Sequence, residues 1–164
     1  MIFIKNKKFI VRLVEKQDID KSFINSLNSK KLNKFLTCGE KKQSLTSAFK
    51  YFHFMSKKKY LYLCVIDKLQ NKFVGTITYR MRQKNYWLGY MIFNRKYLGN
   101  NIFFEAVRMS LKYFFKKNKT GKIFAGTTKE NLPSIFFLTK LGFKLIGKTK
   151  KAFDFKIKKI NLSR

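Results

Sequence analysis

The sequence predicts a single α+β domain over residues 1–164, with a mixed sheet of about seven strands flanked by about four helices. Short runs rich in β-branched and aromatic residues alternate with segments whose apolar residues recur at helical spacing. Of the 164 residues, 45% are hydrophobic and 17% aromatic, which suffices for a two-layer core. The single Pro and eight Gly form no linker that would mark a domain boundary.

The first part of the chain begins with a strand and continues with helices. Residues 8–14, KFIVRLV, predict the strand, and Asp18 is the expected cap of a short helix after it. Residues 28–36 form a connecting segment or a second short helix. Ser44 is the expected cap of a helix over residues 45–56, which carries an apolar stripe.

Three strands follow and should pair antiparallel. They are predicted at residues 60–67, 73–82 and 86–93, and the short polar turn at 68–72 suits a hairpin. Gly75 falls where a strand tolerates the close approach of another backbone.

The last part of the chain predicts a crossover to a parallel strand. The turn Leu98–Asn101 leads into a helix that ends near Lys117, and residues 123–128 predict the next strand. A strand reached through a helix should lie parallel to the strand before it. Asn131 is the expected cap of a helix that ends at Gly142. Two closing strands are predicted at residues 144–150 and 153–160.

The charge balance is extreme, with 38 Lys+Arg against 8 Asp+Glu and a formal net charge of +30. The lysines are spread along the chain, and Lys, Asn, Ile and Phe are abundant together, which is typical of coding bias in an AT-rich genome. The same charge suits an acidic or phosphorylated partner, including nucleic acid. Both interpretations stay open, because net charge predicts solubility and the electrostatic steering of charged ligands rather than the fold.

Few groups in the sequence are suited to bind a metal. Cys38 and Cys64 lie far apart, the chain has one His, and no CxxC occurs, so we expect no metal site. Cys64 is expected to be a small buried hydrophobe, and His53 a helix-surface residue. There is no signal-peptide pattern and no long apolar run, which predicts a cytoplasmic protein without a membrane partner.

The junction from Tyr86 to Phe115 has the order strand, glycine turn, helix. A helix start leaves backbone N–H groups without internal partners, and the helix dipole adds partial positive charge there. The junction therefore predicts a site for a phosphate-bearing ligand, with an ordinary strand-to-helix connection as the alternative.

Four motifs, in this order, resemble the GNAT superfamily of acetyl-CoA-dependent N-acetyltransferases. They are LNSKKLNKFL, KFVGTITY, YWLGYMIFNRKYLGNNIFFEA and KIFAGTTKENLPSIFFLTKLGFKLIG, and together they span most of the chain. The chain is similar in particular to the branch that includes acetyltransferases of ribosomal-protein N-termini. The resemblance implies a GNAT-like fold, acetyl-CoA as co-substrate and an amine acceptor. The acceptor would be a small molecule, such as a nucleotide-linked amino sugar, or a protein N-terminus.

In this family the coenzyme A pyrophosphate binds a turn of the form Q/R-x-x-G-x-G/A, which aligns with residues 96–101. Lys96 stands at the Arg or Gln position, and Asn101 stands at the second Gly or Ala. The strand over residues 86–93 is implied to pair with the pantetheine arm through its backbone. The implied coenzyme-binding residues are Met91, Ile92, Phe93, Lys96, Leu98, Gly99, Asn100, Asn101, Ile102 and Asn131.

The reaction implied is attack of a neutral amine on the thioester, so a base must take a proton from the ammonium. Many relatives place a Glu at the position of Trp87 and a Tyr at that of Leu138, and both are missing here. The implied catalytic residues are Asn131, Ser134 and Glu130, where Glu130 is the nearest carboxylate and Ser134 lies near the thiol.

Aromatic residues of the central strand are candidates for acceptor binding. Trp87 and Tyr90 are candidates to stack on a sugar or base of the acceptor, with core aromatics of the central strand as the alternative interpretation. Two other functions remain open: a basic nucleic-acid-binding module, and a catalytically silent GNAT-like binding protein. Against the first, the sequence has no RNP-type or helix-turn-helix signature.

Overall fold

The computed structural model describes residues 2–35 and 41–159, and in these it forms one mixed sheet of eight strands with five α-helices. The strands are β1 (Ile2–Lys5), β2 (Phe9–Leu13), β3 (Leu61–Asp67), β4 (Lys72–Arg82), β5 (Asn85–Ile92), β6 (Lys122–Thr128), β7 (Lys144–Lys148) and β8 (Ala152–Lys158). The α-helices are α1 (Lys21–Leu27), α2 (Lys30–Asn33), α3 (Leu45–Lys57), α4 (Asn101–Lys117) and α5 (Leu132–Lys140). The strand order is β1-β2-β3-β4-β5-β6-β8-β7.

The predicted fold class and crossover are confirmed. β1 to β5 pair antiparallel, and β6 lies parallel to β5 after the helix α4. One strand was not predicted: β1, whose sequence IFIK is only four residues long. Asn6 closes the β1–β2 hairpin, because its side-chain oxygen accepts the N–H groups of Lys8 and Phe9, each at 2.8 Å.

The expected cap of α1 is wrong by two residues. Asp20 caps this helix and accepts the N–H of Phe23 at 2.8 Å. Asp18 is instead engaged by Arg12, whose guanidinium donates to both carboxylate oxygens at 2.6 and 2.7 Å, and by the N–H of Glu15. This ion pair joins β2 to the short 3-10 helix Lys16–Asp18.

Helices cover both faces of the sheet. On one face α4 and α5 pack on the main core, where Tyr79 stacks on Phe114 with 4.2 Å between ring centroids and lies 2.7 Å from the Ser110 hydroxyl. On the other face α1 and α3 form a smaller core, in which Phe23 packs edge-on against Phe93. The two faces of the sheet are therefore covered by different helices and different hydrophobic cores.

Gly75 fixes the spacing of β4, β5 and α4. A Cβ atom at this position would overlap the Met91 carbonyl oxygen and lie 2.9 Å from the Phe103 ring. Only glycine fits, which confirms the predicted close approach.

Cys64 and His53 have the burial that the sequence predicted. Cys64 is fully buried, as expected, and burial raises the pKa of its thiol to about 12. His53 is exposed on α3, as expected. Cys38 and the predicted element ends at Leu36 and Ile160 lie outside the described residues.

Residues 2–35 and 41–159 contain neither a membrane-spanning helix nor a cluster of metal-ligating side chains. Within these ranges no helix is long and apolar enough to cross a membrane. In the same ranges, no three side chains of His, Cys, Asp or Glu come together in a way that would hold a metal ion.

Candidate active site

A cleft opens in the middle of the sheet. The parallel strands β5 and β6 pair at two positions, Trp87 with Phe124 and Leu88 with Ala125. β5 continues to Ile92 without further pairing to β6. We call this opening the β5–β6 cleft. Along it the backbone of β5 has a free side.

The register of β4 and β5 determines which backbone groups point into the cleft. The N–H of Phe93 donates to the Val74 carbonyl at 2.8 Å and is therefore bound to β4. In an antiparallel strand the backbone N–H and C=O groups of successive residues point to opposite sides, so those of every second residue point to the same side. Met91 therefore also pairs with β4, whereas the N–H groups of Ile92 and Tyr90 point towards the cleft.

A glycine turn lies between the end of β5 and the start of α4. Gly99 has a φ of 75°, which favours glycine, and Leu98 beside it is exposed. Asn100 caps α4, and its side-chain oxygen accepts the N–H of Ile102 at 2.8 Å. Asn101 is the first residue of the helix, so this position does not need a left-handed backbone.

Two contacts hold this turn against the β3–β4 hairpin. Lys96 donates to the side-chain oxygen of Gln70 at 3.1 Å, and the Tyr97 hydroxyl donates to Asp67 at 2.8 Å. Burial acts to raise the pKa of Asp67, but the hydrogen bonds from Tyr97 and from the N–H groups of Gln70 and Leu69 outweigh it, so the pKa is lowered. Burial and Asp67 together raise the pKa of Tyr97 to about 12.

The start of α5 brings three predicted residues together. Asn131 caps the helix, as predicted, and accepts the N–H of Ser134 at 3.2 Å. The Ser134 hydroxyl lies 2.7 Å from the Tyr90 hydroxyl, and the Tyr90 ring packs on Phe137. Burial raises the pKa of Tyr90, so this phenol is protonated at neutral pH. Glu130 is exposed in the turn before α5.

Trp87 and Tyr90, both predicted to bind the acceptor, lie on opposite faces of β5. Tyr90 packs under α5, whereas Trp87 stacks on Phe124 of β6 with 5.5 Å between ring centroids. The Arg82 guanidinium lies 5.7 Å from the centre of the Trp87 ring. One planar group therefore cannot stack on both residues.

Comparison with solved structures supports the fold assignment. An acetyltransferase (GNAT family) from Bacillus anthracis is 23% identical over 98% of this chain and 99% of its own, with a TM-score of 0.82. RimL, a ribosomal L7/L12 alpha-N-protein acetyltransferase in complex with coenzyme A, is 12% identical over 96% and 98%, with a TM-score of 0.83. FdhC, a nucleotide-linked sugar GNAT, is 17% identical over 98% and 92%, with a TM-score of 0.79. At these identities the likeness establishes the fold.

Comparison of the sequence with protein families establishes the family as well as the fold. No curated protein matches it. A family model described as acetyltransferase (GNAT) domain matches residues 8–144, which is most of the chain. The chain therefore belongs to the acetyltransferase (GNAT) family, whose members are acyltransferases.

Proposed function

We propose that this protein transfers the acetyl group of acetyl-CoA to a primary amine, carried by a small molecule such as a nucleotide-linked amino sugar or by a protein N-terminus. One observation carries the proposal: the β5–β6 cleft leads to the glycine turn at the start of α4. A pantetheine arm can add to the free side of β5 while the pyrophosphate lies at the helix start.

The helix start has groups suited to a pyrophosphate. The N–H groups in the first turn of a helix lack intrahelical partners, and the dipole is positive there. Asn100 already binds the N–H of Ile102, which leaves those of Asn101 and Phe103 for phosphate oxygens. Lys96 adds positive charge next to the turn.

The Ile92 N–H is suited to stabilise the thioester oxygen. As the amine attacks, negative charge develops on this oxygen, and one fixed N–H donor contributes on the order of 3 kcal/mol in other acyl-transfer systems. When the C–S bond breaks, the sulfur keeps the electron pair and needs a proton. Tyr90 and Ser134 form a protonated pair on the α5 side of β5 that is suited to supply it. Asn131 holds Ser134 in place and is suited to contact the coenzyme arm.

Calorimetry with acetyl-CoA tests this proposal. Gly99 has no atom within 4 Å of its Cβ position, so a tryptophan there would occupy the space that the pyrophosphate needs. We expect wild type to bind, and Gly99→Trp to bind about 100-fold more weakly or not at all, a loss of about 2.7 kcal/mol or more.

The matched control is Gly121→Trp, since Gly121 also has open space at its Cβ position but lies in the turn before β6. This variant should bind acetyl-CoA as wild type does. Circular dichroism melts should show that both variants are folded. Absence of acetyl-CoA binding by wild type would overturn the proposal.

A further inference from the structure

The sheet face that carries Trp87 is open on its β5, β6 and β8 side. On β8, Phe155 and Ile157 are buried in the main core, so the residues that alternate with them point to the other face. We call this surface the Trp87 face. On these three strands it consists of half-buried or exposed residues: Trp87, Gly89, Phe124, Gly126, Thr128, Asp154 and Lys156.

A carboxylate lies on this face beside the indole. Asp154 pairs with Gly126 of β6 on one side and with Gly147 of β7 on the other. A Cβ atom on Gly126 would lie 3.3 Å from the Asp154 Oδ1 atom and 3.6 Å from the Trp87 ring. The missing side chain at Gly126 therefore leaves a space that is bounded by both groups.

The Asp154 carboxylate has no hydrogen-bond or ion-pair partner among residues 2–35 and 41–159. The chain carries 38 Lys and Arg against 8 Asp and Glu, yet within the described residues none of these cations lies at ion-pair distance from Asp154. A half-buried carboxylate without a protein partner is suited to bind a cation from outside, such as an ammonium group.

Two unpaired polar atoms lie on the same face of the sheet. Arg80 of β4 is directly opposite Trp87 in the strand register. The Arg80 Nε and Thr128 Oγ1 atoms are buried and have no hydrogen-bond partner in the described part of the chain. Buried polar groups are nearly always paired in folded proteins, so two such atoms on one face indicate a ligand that supplies the missing partners.

We propose that the acceptor binds on the Trp87 face, with its amine at Asp154 and an anionic group at Arg80. This inference rests on the proposed acetyl transfer. Asp154 takes a proton from the ammonium, and the nitrogen then attacks the thioester carbonyl carbon. The C–S bond breaks and the sulfur leaves with the electron pair. The nitrogen then loses its second proton, the sulfur gains one, and Asp154 gives its proton to solvent, so the products are the amide, the coenzyme A thiol and one proton.

The charges on this face select among amines. Arg80, Arg82 and Lys156 lie on the same face as the single carboxylate of Asp154, and the whole chain carries +30. A polyamine would meet this excess of like charge, whereas an amine that also carries phosphate is attracted. The exposed edge of Trp87 and Phe124 also offers an aromatic surface for a base or sugar. The acceptor class is therefore a phosphate-bearing amine, and the probe is a uridine-diphosphate-linked amino sugar.

The test measures thiol release from acetyl-CoA with this amino sugar, with an alanyl peptide and with spermidine. We expect kcat/KM for the amino sugar to exceed that for spermidine at least about tenfold. Asp154→Asn should lower kcat/KM for the amino sugar by about 10²- to 10⁴-fold, the usual contribution of a general base. Arg80→Gln should mainly raise KM for the amino sugar.

Glu105→Gln is the charge control, because it removes a carboxylate from α4 that is paired with Arg108. It should leave kcat/KM unchanged.

Gly126→Ala provides a test that does not depend on Asp154→Asn being folded, since its methyl group enters the space beside Asp154 and should raise KM. Gly121→Ala, at a position with open space, should leave KM for the amino sugar unchanged.

Acetyl-CoA affinity, measured by calorimetry, separates the two proposals. Asp154→Asn should bind acetyl-CoA as tightly as wild type. If Asp154→Asn keeps kcat/KM within about threefold of wild type, Asp154 is not the amine-binding base. If spermidine is the better acceptor, or the amino sugar neither binds nor reacts, the proposal that the acceptor is a phosphate-bearing amine is wrong. If wild type fails to bind acetyl-CoA, the proposed function itself fails.

Discussion

Asp67 and Tyr97 form a buried hydrogen bond that joins the end of β3 to the residues before the glycine turn. Tyr97→Phe removes the hydroxyl and leaves the carboxylate with its two backbone donors. Because hydrogen bonds to charged groups contribute about 1.5–3 kcal/mol, we expect unfolding free energy to fall by about 2 kcal/mol at pH 7. Urea titration at pH 7 measures this difference.

The same variant should show how the contribution of Asp67 depends on pH. The pKa of Asp67 is lower in the folded protein than its ordinary value of about 3.9. Its stabilising effect is therefore present above that ordinary value and is lost as the pH falls through the folded-state pKa. The stability difference between wild type and Tyr97→Phe should shrink in acid. A difference that stays constant down to about pH 2 would contradict this account.

Two of the three helix caps expected from the sequence are confirmed, and the third, at Asp18, was wrong by two residues. Ser44 and Asn131 were expected as helix caps and are caps, because a cap bonds to a residue three positions away. Asp154 was not singled out, since its surroundings come from strands β6 and β7. A weak signal existed: Asp154 lies between two phenylalanines in a strand, at a position whose alternation places it off the core.

At the scale of elements, β5 has one edge bonded to β4 and one edge open along the β5–β6 cleft. Proline is tolerated in a strand where its missing N–H would face away from the ladder. Ile92→Pro should therefore fold and should weaken acetyl-CoA binding by about tenfold, a loss of about 1.4 kcal/mol, because it removes the N–H that points into the cleft. Calorimetry and thermal melts measure the two effects.

Phe93→Pro is the matched comparison for this prediction. It removes the N–H that donates to the Val74 carbonyl, so it should lower the melting temperature more than Ile92→Pro does. Unchanged acetyl-CoA affinity in a folded Ile92→Pro variant would show that the coenzyme does not use this N–H.

Most elements were predictable because strands and helices here have strong local patterns. β1 was missed because four residues carry little periodicity, and its place in the sheet comes from pairing with β2 across the Asn6 turn. The position where β5 and β6 stop pairing depends on how two distant strands diverge, and periodicity contains no information about it. The expectation that the strand over residues 86–93 pairs with the pantetheine arm came from the GNAT resemblance rather than from residue patterns.

At the scale of the whole molecule, most cations lack an acidic partner. Among residues 2–35 and 41–159, only Arg12–Asp18 and Arg108–Glu105 form ion pairs within 4.0 Å. The formal charge of +30 therefore acts as repulsion within the folded chain, whatever its evolutionary origin. A nucleic-acid-binding module would be expected to gather these charges on one surface, whereas the lysines occur on elements throughout the fold.

Self-repulsion of this size should make stability depend on salt. Screening lengths fall from about 30 Å at 0.01 M to about 10 Å at 0.1 M ionic strength, so added NaCl weakens repulsion between distant lysines more than it weakens the short Arg12–Asp18 pair. We expect the melting temperature to rise with NaCl over this range by several degrees, since about 1 kcal/mol shifts it by about 2–4 °C in domains of this size class. Potassium chloride should act like NaCl, because the effect is general screening. A melting temperature that falls with either salt would mean that attractive ion pairs outweigh repulsion in the folded chain.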